Sequence, residues 1–278
     1  MGRKPKRRTR HRLLGTAVTV SLKAAEDWHY GTLNNRPVTL VGTPDIGDRY
    51  FLFVAWKDYT TQIDQLYNSG LFRNFVSLGE YADGTVSSGV GVGSVKVCCY
   101  YCDWQAGDED LNMHFTASPA IAIWNLQLWT KAASDTWDTP LAFTAPWPDQ
   151  NTGTISATAS ASAGQIKDGS AVMNMIALRD DCATFTMPTN GIDVASGITW
   201  NGNRVQAPTD HIATGGGQDM SGNTGYRLVT TGNSGAVTLR ATVSSLTTTE
   251  SGSSLWVVQS VTPGAPQEDH SAGMFLVV

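Results

Sequence analysis

The sequence predicts an all-β protein made of two β-sandwich domains in tandem. Three observations carry that reading. Runs of apolar and β-branched residues of strand length recur between Gly-, Ser-, Pro- and Asp-rich turns. One such run occurs twice at a constant offset. The composition of the 278-residue chain is poor in charge, at 15%, but holds 28 glycines and 41% hydrophobic residues, as expected of sheets covered by Ser, Thr and one another rather than of charged helices.

The repeated run opens at Gly47 and reads Gly-Asp-Arg-Tyr-Phe-Leu-Phe-Val-Ala-Trp-Lys-Asp. A turn signal, a dense apolar stretch and a charged stop describe a central strand buried on both faces. From Gly169 the chain reads Gly-Ser-Ala-Val-Met-Asn-Met-Ile-Ala-Leu-Arg-Asp, so Gly47, Ala55, Lys57 and Asp58 align with Gly169, Ala177, Arg179 and Asp180. Strand-like runs follow each copy in similar order: 95–102, 111–118, 120–129 and 141–143 after the first, and 226–231, 236–243, 254–261 and 274–278 after the second.

In chain order, residues 1–14 form a basic arm, and Val18, Val20 and Leu22 alternate with Thr19, Ser21 and Lys23 as an opening strand. That alternation favours an arm plus a strand over a cleaved signal peptide. A second strand is expected at Pro37–Val41. The apolar positions of 59–80 have partial helical spacing broken at Gly70, which predicts a short helix or a crossover loop. Residues 103–110 read as an acidic hairpin loop, and Trp147 between two prolines marks a boundary. The expected domains are therefore 15–147 and 152–278, with 183–223 as long loops of the second.

The charge is uneven. Arg3, Lys4, Lys6, Arg7, Arg8, Arg10 and Arg12 stand in the arm with no acid, which leaves the rest of the chain at a net charge of −12. Such a body does not predict a general nucleic-acid surface, whereas the arm can bind an acidic neighbouring surface or, as a lesser alternative, phosphates. No apolar run of about 20 residues suggests a membrane span.

Chemical motifs are few. Cys99 and Cys102 have CxxC spacing, but they lie with Cys98 in a strand-like run and no second pair accompanies them; Cys182 stands alone. Buried thiols are expected, not a metal site. Residues 89–94 are Gly-rich without the Lys-Ser/Thr of a phosphate loop. His114 falls in a strand, His211 in a loop beside Asp210, and Asp108, Glu109 and Asp110 read as solvated acids. No catalytic residue, metal or cofactor is predicted. Trp28, Trp104, Trp137, Trp147 and Trp200 fall in predicted loops, where they suit subunit interfaces or stacking on sugar rings.

The basic arm, the tandem Gly/Ser/Thr-rich β domains, the acidic body and the Gly47-Asp48 opening before an apolar run resemble virion structural proteins of tailed phages. The likeness is to minor tail or tail-tip proteins of phages that infect actinobacteria. The second copy departs from it, with Ser170 in place of the aspartate. The resemblance implies jelly-roll-like domains, a non-enzymatic role in particle assembly or host attachment, and location in the virion. The implied partners are further copies of the chain, other virion proteins and a host-surface glycan. A capsid or capsid-decoration protein is the alternative, and a secreted carbohydrate-binding sandwich is the second.

Overall fold

The computed structural model describes residues 20–25, 29–32, 34–57, 61–68, 75–83, 95–119, 121–150, 153–178, 192–194, 198–206, 211–213, 220–246 and 250–264. Among these residues the protein is all-β, with several antiparallel sheets and no helix.

The first half supplies β1 (Ser21–Ala25), β2 (His29–Gly31), β3 (Asn35–Val38), β4 (Arg49–Lys57), β5 (Ile63–Asn68), β6 (Val76–Asp83), β7 (Val95–Asp103), β8 (Leu111–Phe115) and β9 (Ile121–Thr130). β10 (Thr136–Trp137) lies in the connection. The second half supplies β11 (Leu141–Gln150), β12 (Gly153–Ala161), β13 (Ala171–Leu178), β14 (Ile192–Val194), β15 (Thr199–Gln206), β16 (His211–Ala213), β17 (Met220–Thr231), β18 (Val237–Leu246), β19 (Glu250–Gln259) and β20 (Val261–Thr262).

The first six-stranded sheet has the order β1-β9-β4-β7-β6, with β2 also on β9, and a small sheet has the order β3-β8-β5. The second half repeats both paths strand for strand, as β11-β19-β13-β17-β15 and β12-β18-β14, but its extra strand β16 pairs with β17, the counterpart of β7, whereas β2 pairs with β9. β10 and β20 pair and close the connection onto the second large sheet.

The predicted central strand is β4, buried at all nine positions. Alternation sends its two sets of side chains to different cores. Tyr50, Leu52, Val54 and Trp56 pack with Leu66, Leu111, Met113 and Phe115 under the small sheet. Phe51, Phe53 and Ala55 pack with Met173, Met175, Ala177, Leu255 and Val257 of the other large sheet. The two large sheets therefore meet face to face over one shared apolar layer. On the far side of the second, Val172, Ile176 and Trp256 pack against Ala157, Ala159, Val237 and Leu239. The molecule is four layers thick: small, large, large, small.

The offset of 122 preserves these faces, since Phe51, Phe53 and Ala55 map onto Met173, Met175 and Ala177 in the shared layer. It also preserves the preceding turn. Gly47 and Gly169 both have positive φ, 90° and 73°. Gly47 N donates to Trp104 O, Trp104 N to Asp48 O and Asp48 N to Asp45 O; Gly169 N donates to Val229 O, Val229 N to Ser170 O and Ser170 N to Lys167 O. Asp48 Oδ2 accepts from Asp45 N at 2.9 Å, and Ser170 Oγ accepts from Lys167 N at 3.1 Å. Serine thus performs the same turn-closing bond as aspartate.

Several expectations are corrected. The described residues of 59–80 form β5 and β6 in place of the expected helix or crossover loop, because Leu66 and Phe75 reach the small-sheet core and Phe75 N donates to Leu66 O at 2.9 Å. Pro146 to Pro148 do not divide the halves; they lie within β11, the edge strand of the second large sheet. An edge strand tolerates proline because one side of its backbone needs no donor. The chain crosses between the large sheets after Thr130 and before Leu141, so Leu141 opens the second large sheet rather than ending the first. Residues 103–110 join strands of different sheets and form no hairpin. Within 183–223, β14, β15, β16 and the start of β17 replace part of the expected loop.

A Cβ added at Gly47 would meet no atom within 4 Å, so Gly47→Ala isolates the backbone cost of positive φ. It is expected to destabilise by about 1–2 kcal/mol. Gly235→Ala, which also meets nothing within 4 Å, is expected to change stability by less than about 0.5 kcal/mol. Thermal melting of both variants measures the difference.

Candidate functional site

The turn before β4 lies where the two large sheets and their connection converge, and the polar side chains gather there. Arg49 is the first residue of β4, and at 4% exposure its charge is buried. Its Nε and Nη2 grip the two oxygens of Asp103 at the end of β7, while Nη1 donates to Asp138 O at 2.9 Å and to Gln259 Oε1 at 2.6 Å. The guanidinium also lies 4.6 Å from the centre of the Tyr101 ring and 5.0 Å from that of Trp137. One arginine thus ties β4 and β7 of the first large sheet to the connection and to β19 of the second.

Asp138 is the second hub. Its carboxylate accepts from Lys167 Nζ at 2.7 Å, Ser260 Oγ at 2.6 Å and Thr262 Oγ1 at 2.7 Å. Burial pushes its carboxyl up, but these bonds outweigh burial and hold it below the usual carboxylate value. Asp48 behaves alike: burial opposes its charge, while bonds from Lys23, Thr130 and Asp45 N bring it below the ordinary range.

Beside this junction runs a shallow groove of about 200 Å³ lined by Gly47, Asp103, Lys131, Asp135, Thr136 and Trp137. Three of its polar groups are engaged within the fold. Asp103 holds Arg49, Asp135 Oδ1 accepts from Gly264 N at 3.2 Å, and Trp137 Nε1 donates to Gly47 O at 2.7 Å. The arrangement clamps chain segments together.

The predicted aromatics divide among several places. Trp104 and Trp137 meet on the two sides of the Gly47 peptide, where Gly47 N donates to Trp104 O at 2.9 Å. The Trp104 ring packs edge-on against Tyr50, with centroids 5.6 Å apart. Trp137 lies in β10 and Trp200 in β15, not in loops, and Arg227 covers the Trp200 ring at 4.6 Å. Trp147 belongs to β11, with its side chain outside the described residues. Trp28 and the arm residues Arg3, Lys4, Lys6, Arg7, Arg8, Arg10 and Arg12 also lie outside them, as do Cys182, Asp210 and residues 89–94.

Cys98, Cys99 and Cys102 are free and buried. In a strand, positions three apart point to opposite faces, so Cys99 enters the layer shared by the large sheets and Cys102 the core under the small sheet. The CxxC pair cannot converge on one ion. Burial pushes the Cys98 thiol up to about 12, which suppresses the thiolate that metal binding or nucleophilic attack needs. Asp108 is not a freely solvated acid. It is 9% exposed, and its carboxylate accepts from Gln105 N at 2.7 Å. His114 is half-buried on β8, its Nδ1 2.6 Å from Asp64 Oδ1.

No protein-family model, curated protein or solved structure matches the chain.

Sequence reasoning missed Arg49, Asp138 and Gln259 as a set. The available signal was a charged residue at the head of an otherwise apolar run, which signals a buried ion pair. Arg49→Met is expected to destabilise the protein by about 3 kcal/mol, because it leaves buried partners of a charge unpaired. Asp103→Asn should cost as much or more, because it leaves the Arg49 cation, 4% exposed, without its counter-charge, whereas the Asp103 carboxylate that Arg49→Met leaves behind is 42% exposed and rehydrates. Denaturant unfolding of the two variants checks the order. The pH dependence has a definite sign. Asp48 and Asp138 carry lowered values in the folded chain, so their contribution is complete above the ordinary carboxylate range and is lost as pH falls below about 4. The melting temperature of the Asp138→Asn variant should fall less over that window than that of the unaltered protein.

Proposed function

We propose that this chain is a structural protein of a phage virion, in first place a minor tail or tail-tip component, which works by assembly or attachment and not by turnover. The observation that carries the reading is the repetition: two sets of strands with one pairing order, each entered through the same glycine turn. Eight strands of the first half, β1 and β3 to β9, follow the order of a jelly roll, the eight-stranded plan found in viral capsid and lectin domains. β6 departs from the even division into two sheets by leaving the small sheet at Phe75 and pairing with β7. On this reading the chain is a diverged duplication of one jelly-roll-like module.

The junction supports the same conclusion. Its charges, aromatics and hydroxyls are spent on holding segments together, as in a load-carrying subunit. Attachment to a host glycan draws no support from Trp104, Trp137 or Trp200, whose rings or polar atoms are engaged in the fold, so contacts with further copies and other virion proteins are the primary partners. The arm is the natural connector. A segment with seven cations and no acid is attracted to a body with a net charge of −12.

A capsid role is the second reading, favoured by the jelly-roll order together with the arm, whose cations can meet the genome's phosphates. Deleting residues 2–12 tests both. The isolated protein should melt as before, and incorporation into particles should be lost. A collapse of the melting temperature would show that the arm belongs to the fold and would overturn the proposal. Absorbance at 260 nm that co-purifies with the full chain and is shed in high salt would favour the capsid reading.

A further inference from the structure

Arg36 occupies an unusual place for a cation. It stands on β3, an edge strand of the small sheet, opposite Met113 of β8. Directly paired residues share a face, and Met113 is wholly buried, so the Arg36 side chain enters the space between the small and large sheets. There its guanidinium lies 5.8 Å from the centre of the Trp124 ring, and His29 stacks on the same ring at 5.8 Å, with 19° between planes. The guanidinium also lies against Gly31, where an added Cβ would come within 1.9 Å of Nη2 and push the arginine head aside.

Among the described residues, no acceptor meets the guanidinium. Arg36 Nε and Trp124 Nε1 are buried without a hydrogen-bond partner, and Trp124 is 4% exposed. Arg36 joins none of the ion pairs among the described residues. Arg49, by contrast, is met by a carboxylate, a carbonyl and an amide oxygen. Buried donors are nearly always satisfied, because each unmet one forfeits its hydration. Two adjacent donors, one of them charged, call for the same missing partner: an oxygen-rich anion. A guanidinium presents its N–H groups as a fork that fits carboxylate and phosphate alike.

We propose that Arg36 and Trp124 form a binding site for an oxyanion group, carboxylate or phosphate, carried by a ligand that enters at the β2–β3 edge of the first half. The group accepts from the Arg36 fork and from Trp124 Nε1.

The test is thermal melting of the full chain in sodium acetate and in sodium phosphate, each compared with sodium chloride at equal ionic strength. The oxyanion that fits should raise the melting temperature by about 3 °C at ten times its dissociation constant, and the two arms tell carboxylate from phosphate. Arg36→Met should abolish the gain. Trp124→Phe keeps the ring and removes only the N–H, so it remains informative if Arg36→Met folds poorly. In chloride it should melt at or above the unaltered protein, because an unmet donor is gone; in the effective oxyanion its gain should be reduced several-fold. An equal oxyanion response in the unaltered protein and Trp124→Phe would overturn the proposal. So would the absence of any gain at about 100 mM of either anion, well above the millimolar dissociation constants of even weak sites.

Discussion

The structure depends on the face-to-face packing of its two large sheets. Phe51, Phe53, Ala55, Val97 and Ile123 from one side meet Met173, Met175, Ala177, Leu255 and Val257 from the other. Each large sheet would otherwise expose a broad apolar face, since its opposite face is already covered by a small sheet. Burial of such surface contributes roughly 25 cal/mol per Å², so separating the halves exposes a face that neither can cover alone. This is why β4 and β13 are apolar on both faces, where a sheet with one wet side would alternate.

The layer is not uniformly apolar. Gln127 Nε2 donates to Asn125 Oδ1 at 3.0 Å, Thr224 Oγ1 lies 3.3 Å from Asn125 Oδ1, and Trp129 Nε1 donates to Gln127 Oε1 at 3.1 Å. Ser253 Oγ donates to Val95 O across the layer at 2.7 Å. The Thr224–Asn125 and Ser253–Val95 bonds cross between the sheets and are directional where apolar contact is not, so they fix the register in which the sheets meet, while the other two order side chains along β9. Arg49 and Asp138 add a polar lock at one end. The fold thus joins an apolar adhesive, a buried polar register and an electrostatic clamp, all of which serve cohesion.

Part of this was legible in the sequence. The central strand could be read because nine residues without a turn former fit only a strand covered on both sides. The repeat was legible through Gly47 and Gly169, since a positive φ restricts the position to glycine. The equivalence of Asp48 and Ser170 was not, because it lies in a shared hydrogen bond rather than in chemical likeness. β5 and β6 were obscured by apolar spacing near a helical period, which contact with the small-sheet core overrode. Pro146 and Pro148 mimicked a linker because a sequence does not reveal which strand is an edge. The clamp was least legible: Arg49 reaches Asp103, Asp138 and Gln259 across 54, 89 and 210 residues, distances over which local patterning carries no information.

Hydrogen exchange of the intact chain, resolved to individual strands, tests the central claim that the two halves form one cooperative unit. If the shared layer governs stability, backbone amides of β4, β7, β13 and β19 will exchange with one common free energy equal to that of global unfolding. Two separate levels, with β13 and β19 opening while β4 and β7 stay protected or the reverse, would contradict it.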